Sequence, residues 1–402
     1  MTATHPTQLN TQTRFFWLWF LLPMVGWFAF YLDIITPVLP AVGKAFKLPP
    51  EIAQQSMSLF YFTCGITQWV MGRYTHLLTI RHYIYLLYSI VIIGTCLVLN
   101  VQTWWIYMLG RLLQAIGSGS LLMLAFIIVR NQFDDEVTRQ KLCGQLNATI
   151  AGSLIVMPPL GATLYHYHQR WQSPYWYLLA AITLHLISIC LLKPTFKEQA
   201  KFTAANKIAL NDIPFVLASY LFICGIAGGC YNFIFILYSP YLMIETMHIS
   251  VVQYGWMVAG LGCVHVSSCY LYPYLAQAIT AKRALFMSHW LFVLSGGCMV
   301  YSAYLNNPAM MIIAFAVAHI ASGILLTGSI SVLINHPKLK SDQLLGTFSC
   351  IKFIIPPSLA SLAPQTVQHP GALAAMMICL AGICFISMPQ ALRRSDAAAM
   401  RH

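Results

Sequence analysis

Long apolar runs, broken by short polar or Pro/Gly-rich punctuation, recur along the whole chain. A helix crosses the hydrocarbon layer with about 20 apolar residues. Taken in order, the runs predict twelve such spans, near 15–41, 54–74, 83–100, 103–130, 142–166, 174–192, 213–243, 251–278, 284–304, 308–334, 343–366 and 371–391. Glycine and proline inside them are tolerated in membrane helices. Arg14 precedes an apolar run too long for a signal-peptide core, with no clear cleavage site, so it reads as a retained first span. The longest polar connection, 193–212, holds Lys193, Lys197, Glu198, Lys201, Lys207 and Asp212. It divides the chain into residues 1–192 and 213–402, each with six predicted spans. The pattern thus predicts an all-α membrane protein of twelve transmembrane helices in two six-helix halves. Such halves place a substrate site between them, near the midplane.

Composition agrees with that pattern: 59% of residues are hydrophobic and only 8% charged, against about 25% charged in soluble domains. The formal net charge of +12 raises the question of nucleic acid. The positions of the charges answer it. With the N-terminus in the cytoplasm, 17 Lys and Arg fall on the cytoplasmic side, 3 (Lys44, Lys47, Arg170) on the outer side, and Arg111 and Lys352 inside spans. That is a positive-inside distribution with both termini cytoplasmic, and no nucleic-acid partner is implied. The twelve cysteines are scattered singly through apolar segments, with no C-x-x-C pair. The intramembrane histidines His185, His265, His289 and His319 show no i,i+4 pair, so no metal is expected.

Three formal charges lie well inside spans: Asp33, Arg111 and Lys352. A carboxylate in hydrocarbon costs roughly 2.5–3.5 kcal/mol on insertion scales, so it faces the bundle interior and has a partner or a function. Desolvation disfavours its charged form, which suits Asp33 to proton carriage; the bland alternative is a buried polar contact. Arg111 stays charged. Lys352 stands just before Pro356 and Pro357, and either snorkels or lines the cavity as an anion-binding group. His265, in the middle of its span, is the candidate for a second proton site, or a packing residue. Tyr231 and Asn232, near Gly228 and Gly229, are candidates for substrate contact, as are Trp27, Phe30, Tyr31, Phe60 and Trp256 as an aromatic wall. No phosphate-binding loop, nucleophile elbow, H-E-x-x-H or catalytic carboxylate pair is present, so neither an enzyme nor a cofactor is expected.

The motifs then resemble a family. Asp33, Pro37 and Pro40 give D-x-x-x-P-x-x-P; Gln68 and Gly72 give Q-x-x-x-G; Gly110, Arg111, Gln114, Gly117 and Ser118 give the span-four pattern, with Ala115 for one glycine. Pro158, Pro159 and Gly161 echo the antiporter motif of span five; Trp171–Tyr177 resembles the aromatic lead into span six, and Ser239, Pro240, Tyr241, Glu245 and Gly255 match the end of span seven and start of span eight. In order and spacing these resemble the major facilitator superfamily, its drug:proton antiporter branch, and within it the Bcr/CflA-like multidrug exporters. The resemblance implies a proton role for Asp33 and a tie from Arg111 to span one that influences proton binding. It also implies a gating loop between spans two and three, here marked by Gly72, His76 and Arg81. That loop departs from the family's G-x-x-x-D-R-x-G-R-R, with His76 in the acidic position.

The expectation is therefore a monomeric, proton-coupled exporter of small amphipathic compounds in a bacterial inner membrane, working by antiport with alternating access. The alternatives are a carrier for an anionic metabolite or siderophore, and a transporter-like sensor without turnover.

Overall fold

The computed structural model describes residues 11–133, 136–192, 215–305, 307–335, 342–362, 375 and 378–386. The expected linker at 193–212 lies outside the described residues, as does much of the last expected span. Among the described residues there are helices and no strands.

The described residues include the α-helices α1 Thr11–Asp33, α2 Leu39–Ala45, α3 Pro50–Tyr74, α4 Ile80–Leu99, α5 Trp104–Gln132, α6 Glu136–His168, α7 Ser173–Leu192, α8 Phe215–Pro240, α9 Val251–Ile279, α10 Ala281–Leu305, α11 Pro308–Asn335 and α12 Asp342–Leu362. A further helical segment covers 378–386. Eight segments among the described residues have the length and apolar composition to cross a membrane. One joins α1 and α2 (Trp17–Ala45), and another continues α8 to Thr246. The expected twelve exceeds that eight by four: α3 and α9 carry many polar or small residues, such as Gln54, Thr63 and Gln68 in α3, the apolar stretch of α12 is the shorter Cys350–Leu359, and most of the last expected span lies outside the described residues.

Local sequence explains the breaks. Pro37 and Pro40 have no N–H, so α1 stops at Asp33 and the chain passes through one tight turn, Thr36–Val38, before α2. Thr36 Oγ1 donates to the Leu32 carbonyl at 3.2 Å, taking up an acceptor that the break frees. Pro240 ends α8, and the next six residues, Tyr241–Thr246, wind more widely as a π-type turn. Ser250 and Gln253 form a reciprocal cap at the start of α9.

The first helices pack among themselves, α5 lying against α1, α3 and α4, and α7 against α4 and α6. The later ones do likewise, with α11 at the centre of α8, α9 and α10. Contact between the two sets runs through α6 with α9, α3 with α12, and the α1–α2 break with α8 and α9. Small residues permit the closest approaches. A Cβ on Gly255 of α9 would lie 3.0 Å from the Pro158 carbonyl and 2.8 Å from Ala162 Cβ. One turn of α6 thus presses on α9, and the same turn presses on α1, because a Cβ on Gly161 would collide with the Ile34 carbonyl oxygen.

Candidate functional site

Asp33 is 3% exposed, at the last residue of α1. Its Oδ2 accepts a hydrogen bond from Ser153 Oγ of α6. Among the described residues it has no ion-pair partner. An acid with one neutral donor and no cation is a group whose proton can come and go. Ser153 is the partner the sequence did not reveal.

Arg111 of α5 is fully buried and answers to a different set. Its Nη1 donates to the Tyr31 carbonyl of α1 at 3.1 Å and to Gln114 Oε1 at 3.0 Å. Gln114 Nε2 donates to Thr95 Oγ1 at 3.2 Å, and Thr95 Oγ1 lies 2.8 Å from the Tyr31 hydroxyl. The loop closes on Tyr31, which binds through both its backbone and its side chain. The helix break leaves the Tyr31 carbonyl available, and Arg111 uses it to tie α5 to α1. Arg111 Nε has no partner among the described residues.

The Arg111 guanidinium also sits 4.3 Å over the Phe60 ring. Phe60 stacks with Phe28 at 6.2 Å, and Phe28 meets Phe353 of α12 edge-on at 5.3 Å. Tyr61 of α3 lies 4.7 Å from Phe233 of α8 and 5.1 Å from Phe353. Beyond Phe353 is Lys352, its Nζ 5.3 Å from that ring and its chain against Gly229 of α8. An aromatic group from α1, α3, α8 and α12 therefore lies where the two sets of helices meet, with one cation at each end. Lys352 is half-buried and makes no hydrogen bond or ion pair among the described residues. Each ring–cation contact contributes about 0.5–2 kcal/mol, the more the drier it is.

The other expected residues fall elsewhere. Tyr231 donates to the Phe315 carbonyl at 3.0 Å, and its hydroxyl lies 2.6 Å from His319 Nδ1, all within the α8–α11 contact. His265 Nδ1 is 3.3 Å from the His319 carbonyl. Asn232 accepts from Ser322 Oγ at 3.1 Å. Of the aromatic wall, Phe60 joins the central rings. Trp27 turns to Tyr88 at 3.2 Å, and Phe30 packs on Trp27. Trp256 is 65% exposed on the outer face of α9, while Tyr254, two residues earlier, is buried. Two residues turn a helix by about 200°, which puts them on opposite faces. In the last turn of α3, a Cβ on Gly72 would lie 3.5 Å from Met123 of α5, and Arg81 is exposed at the start of α4. His76 lies in the one-turn helix Thr75–Leu77; its side chain is outside the described residues.

At the end of the molecule that holds α2, the two sets of helices are fastened. Lys44 Nζ donates to Glu245 Oε1 at 2.8 Å, Tyr241 OH to the Leu39 carbonyl at 3.4 Å, and Gln54 Nε2 to the Leu237 carbonyl at 3.1 Å. The sequence motif at Ser239–Glu245 flagged this segment; its partners in α2 and α3 were not legible.

A family model described as Major Facilitator Superfamily matches residues 19–355. The chain is similar to the multidrug resistance protein MdtL of Shigella dysenteriae serotype 1 (strain Sd197), at 25% identity over 228 residues, 55% of each protein. It is similar to the same degree to MdtL of Escherichia coli O139:H28 (strain E24377A / ETEC), again 25% over 228 residues and 55% of each. The match thus spans about half the length of these curated relatives. Among solved structures, a D-xylose–proton symporter superposes with TM-score 0.76 at 12% identity, over 95% of this chain and 100% of that one. A bacterial homologue of the human lysosomal transporter Spinster, inward-facing and occupied, gives TM-score 0.74 at 14% identity, over 97% and 99%. At such identities the likeness concerns the fold.

Proposed function

The chain belongs to the major facilitator superfamily, and from that premise we propose that it is a proton-coupled transporter exporting small amphipathic compounds by antiport. The observation that carries the reading is Asp33: a buried carboxylate with a serine for partner, at a helix break, on the same helix that brings Phe28 to the aromatic rings contributed by both sets of helices. The name of the MdtL relatives supports export of drug-like compounds. In this reading 1–192 and 213–402 are the two moving halves, the termini are cytoplasmic, and the membrane is the bacterial inner membrane. The Lys44–Glu245 end then faces outward and is the closed end.

The coupling follows from charge. Deprotonated Asp33 is an anion in a site whose cations, buried Arg111 and half-buried Lys352, sit at the two ends of the ring stack. A proton arriving from outside neutralises Asp33 and releases a bound cationic or amphipathic compound; its loss to the cytoplasm restores binding. A second reading has a specific observation behind it. Lys352 has no anionic partner among the described residues, so a carboxylate-bearing substrate finds a counter-ion there.

Proteoliposomes with an imposed pH gradient separate the two. Gradient-driven movement of lipophilic cationic dyes, abolished in Asp33→Asn, is the expected result. Gradient-driven movement of polycarboxylates alone, lost in Lys352→Ala, would replace export of amphipathic cations with anion transport. Coupling that survives Asp33→Asn would move the proton site elsewhere.

A further inference from the structure

The second half contains a polar cluster that transport leaves unused. Cys224 of α8, His289 of α10 and Cys384 of the 378–386 segment come from distant parts of the chain. Their two sulfurs and one imidazole nitrogen all lie within 4.8 Å of one another. All three side chains have 0% exposure. The Tyr220 hydroxyl lies 3.2 Å from His289 Nε2. His289 Nδ1 is buried and has no partner among the described residues.

Thiols are weak donors and acceptors, so this cluster satisfies its imidazole poorly on its own. Two sulfurs and a ring nitrogen converging in an apolar setting are instead a soft donor set. Around a d10 ion, with bonds of about 2.3 Å to sulfur and 2.0–2.1 Å to nitrogen, such donors stand roughly 3.5–4 Å apart. The cluster needs to contract by less than about an ångström to reach that. Tyr220 is already placed as the outer partner that a ligating histidine carries on its other nitrogen.

We propose that Cys224, His289 and Cys384 form a binding site for one thiophilic d10 metal ion, zinc(II) or copper(I). Binding deprotonates both thiols and releases two protons, giving two metal–sulfur bonds and one metal–nitrogen bond. With zinc the complex is neutral; with copper(I) three donors suffice and one negative charge remains. Either ion joins α8, α10 and the 378–386 segment, fixing the last described helix to the body of the second half. Sequence spacing gave no sign of it, because each donor sits alone in its own helix.

The test uses the full chain, purified under reductant in detergent, stripped of metal, and titrated with zinc(II) or copper(I) against a competing chelator. Cobalt(II) in a parallel sample reports thiolate ligation by its charge-transfer absorption. The expected result is one equivalent bound, with affinity lowered at least about 100-fold in Cys224→Ala and Cys384→Ala, and about 10-fold in Tyr220→Phe. Cys64→Ala, a buried thiol of the first half, leaves it unchanged. To separate lost metal from lost fold, Tm is read with and without metal: the wild type rises on addition, whereas Cys224→Ala keeps its metal-free Tm and does not respond. The proposal is overturned if folded wild-type protein takes up neither ion stoichiometrically. It is equally overturned if the double variant of Cys224 and Cys384 binds as the wild type does.

Discussion

In the first half, α1, α5 and α6 hold Asp33 and Arg111, two side chains of full formal charge, inside the protein. In the second half, α8, α9 and α11 hold no acidic or basic charge within their described lengths. They join Tyr231, His265, His319 and Ser322 to one another and to backbone carbonyls instead. The two solutions differ in what a proton does to them. Neutralising Asp33 removes a charge from the interior, which changes what the neighbouring rings and cations attract. His265 and His319 sit against carbonyl oxygens and hold helices together. Lys352 stands between the two regimes, the charge that α12 brings to the rings shared by both halves.

The contrast breaks most clearly at Asp33. Asp33→Asn keeps an oxygen for Ser153 to donate to, so the fold persists while gradient-driven transport falls to background in proteoliposomes. His265→Gln, in the neutral network, keeps that coupling; loss of coupling in His265→Gln would place proton chemistry in the second half. Arg111→Lys comes next. Lysine reaches one of the Tyr31 and Gln114 acceptors but not both, and a buried charge loses part of its set, so stability falls by about 3 kcal/mol. Thermal unfolding in detergent reads this.

Gly161→Ala presses a methyl group on the Ile34 carbonyl, which is backbone and cannot rotate away, and costs roughly 1–3 kcal/mol. Gly152→Ala, where nothing lies within 4 Å of the added carbon, is the matched control and should unfold as the wild type does. Tyr231→Phe removes the donor to Phe315 and lowers stability by about 1 kcal/mol without altering coupling, if the second network is structural. The smallest effect is expected at Lys44. Its side chain is 70% exposed and Glu245 36%, and exposed pairs contribute about 0–1 kcal/mol. Lys44→Glu shifts the population toward opening at that end by no more than about fivefold, and Glu245→Lys in the same chain restores it; spin-label distances across the end report both.

The helices and the main charged positions were legible in the sequence because each is a local signal: a run of apolar residues, a proline spacing, a charge where none belongs. The partners were not. Ser153 is one of many serines in apolar runs, and only the packing of α6 on α1 selects it. Phe28, Tyr61, Phe233 and Phe353 are four aromatics among many, and their convergence is a property of four helices at once. Trp256 illustrates the reverse, a residue picked by chemical type whose face of the helix the chain alone did not fix. His319, noted in its span but not singled out, is the hub of the second network for the same reason.

The turn of α6 at 158–162 is hemmed in on both sides, by α1 through Gly161 and by α9 through Gly255. Most positions in a membrane helix drift freely among apolar residues, since lipid accepts them all. This turn cannot. A saturating mutational scan should find a short island of intolerance there, with growth of Gly161 rescued by nothing at Ile34, whose clash is with backbone, and growth of Gly255 rescued only in part by shrinking Ala162, because the Pro158 carbonyl is backbone too. Any lineage that enlarges this turn has to part α1 from α9 to do so, and therefore to rebuild the site around Asp33 as well.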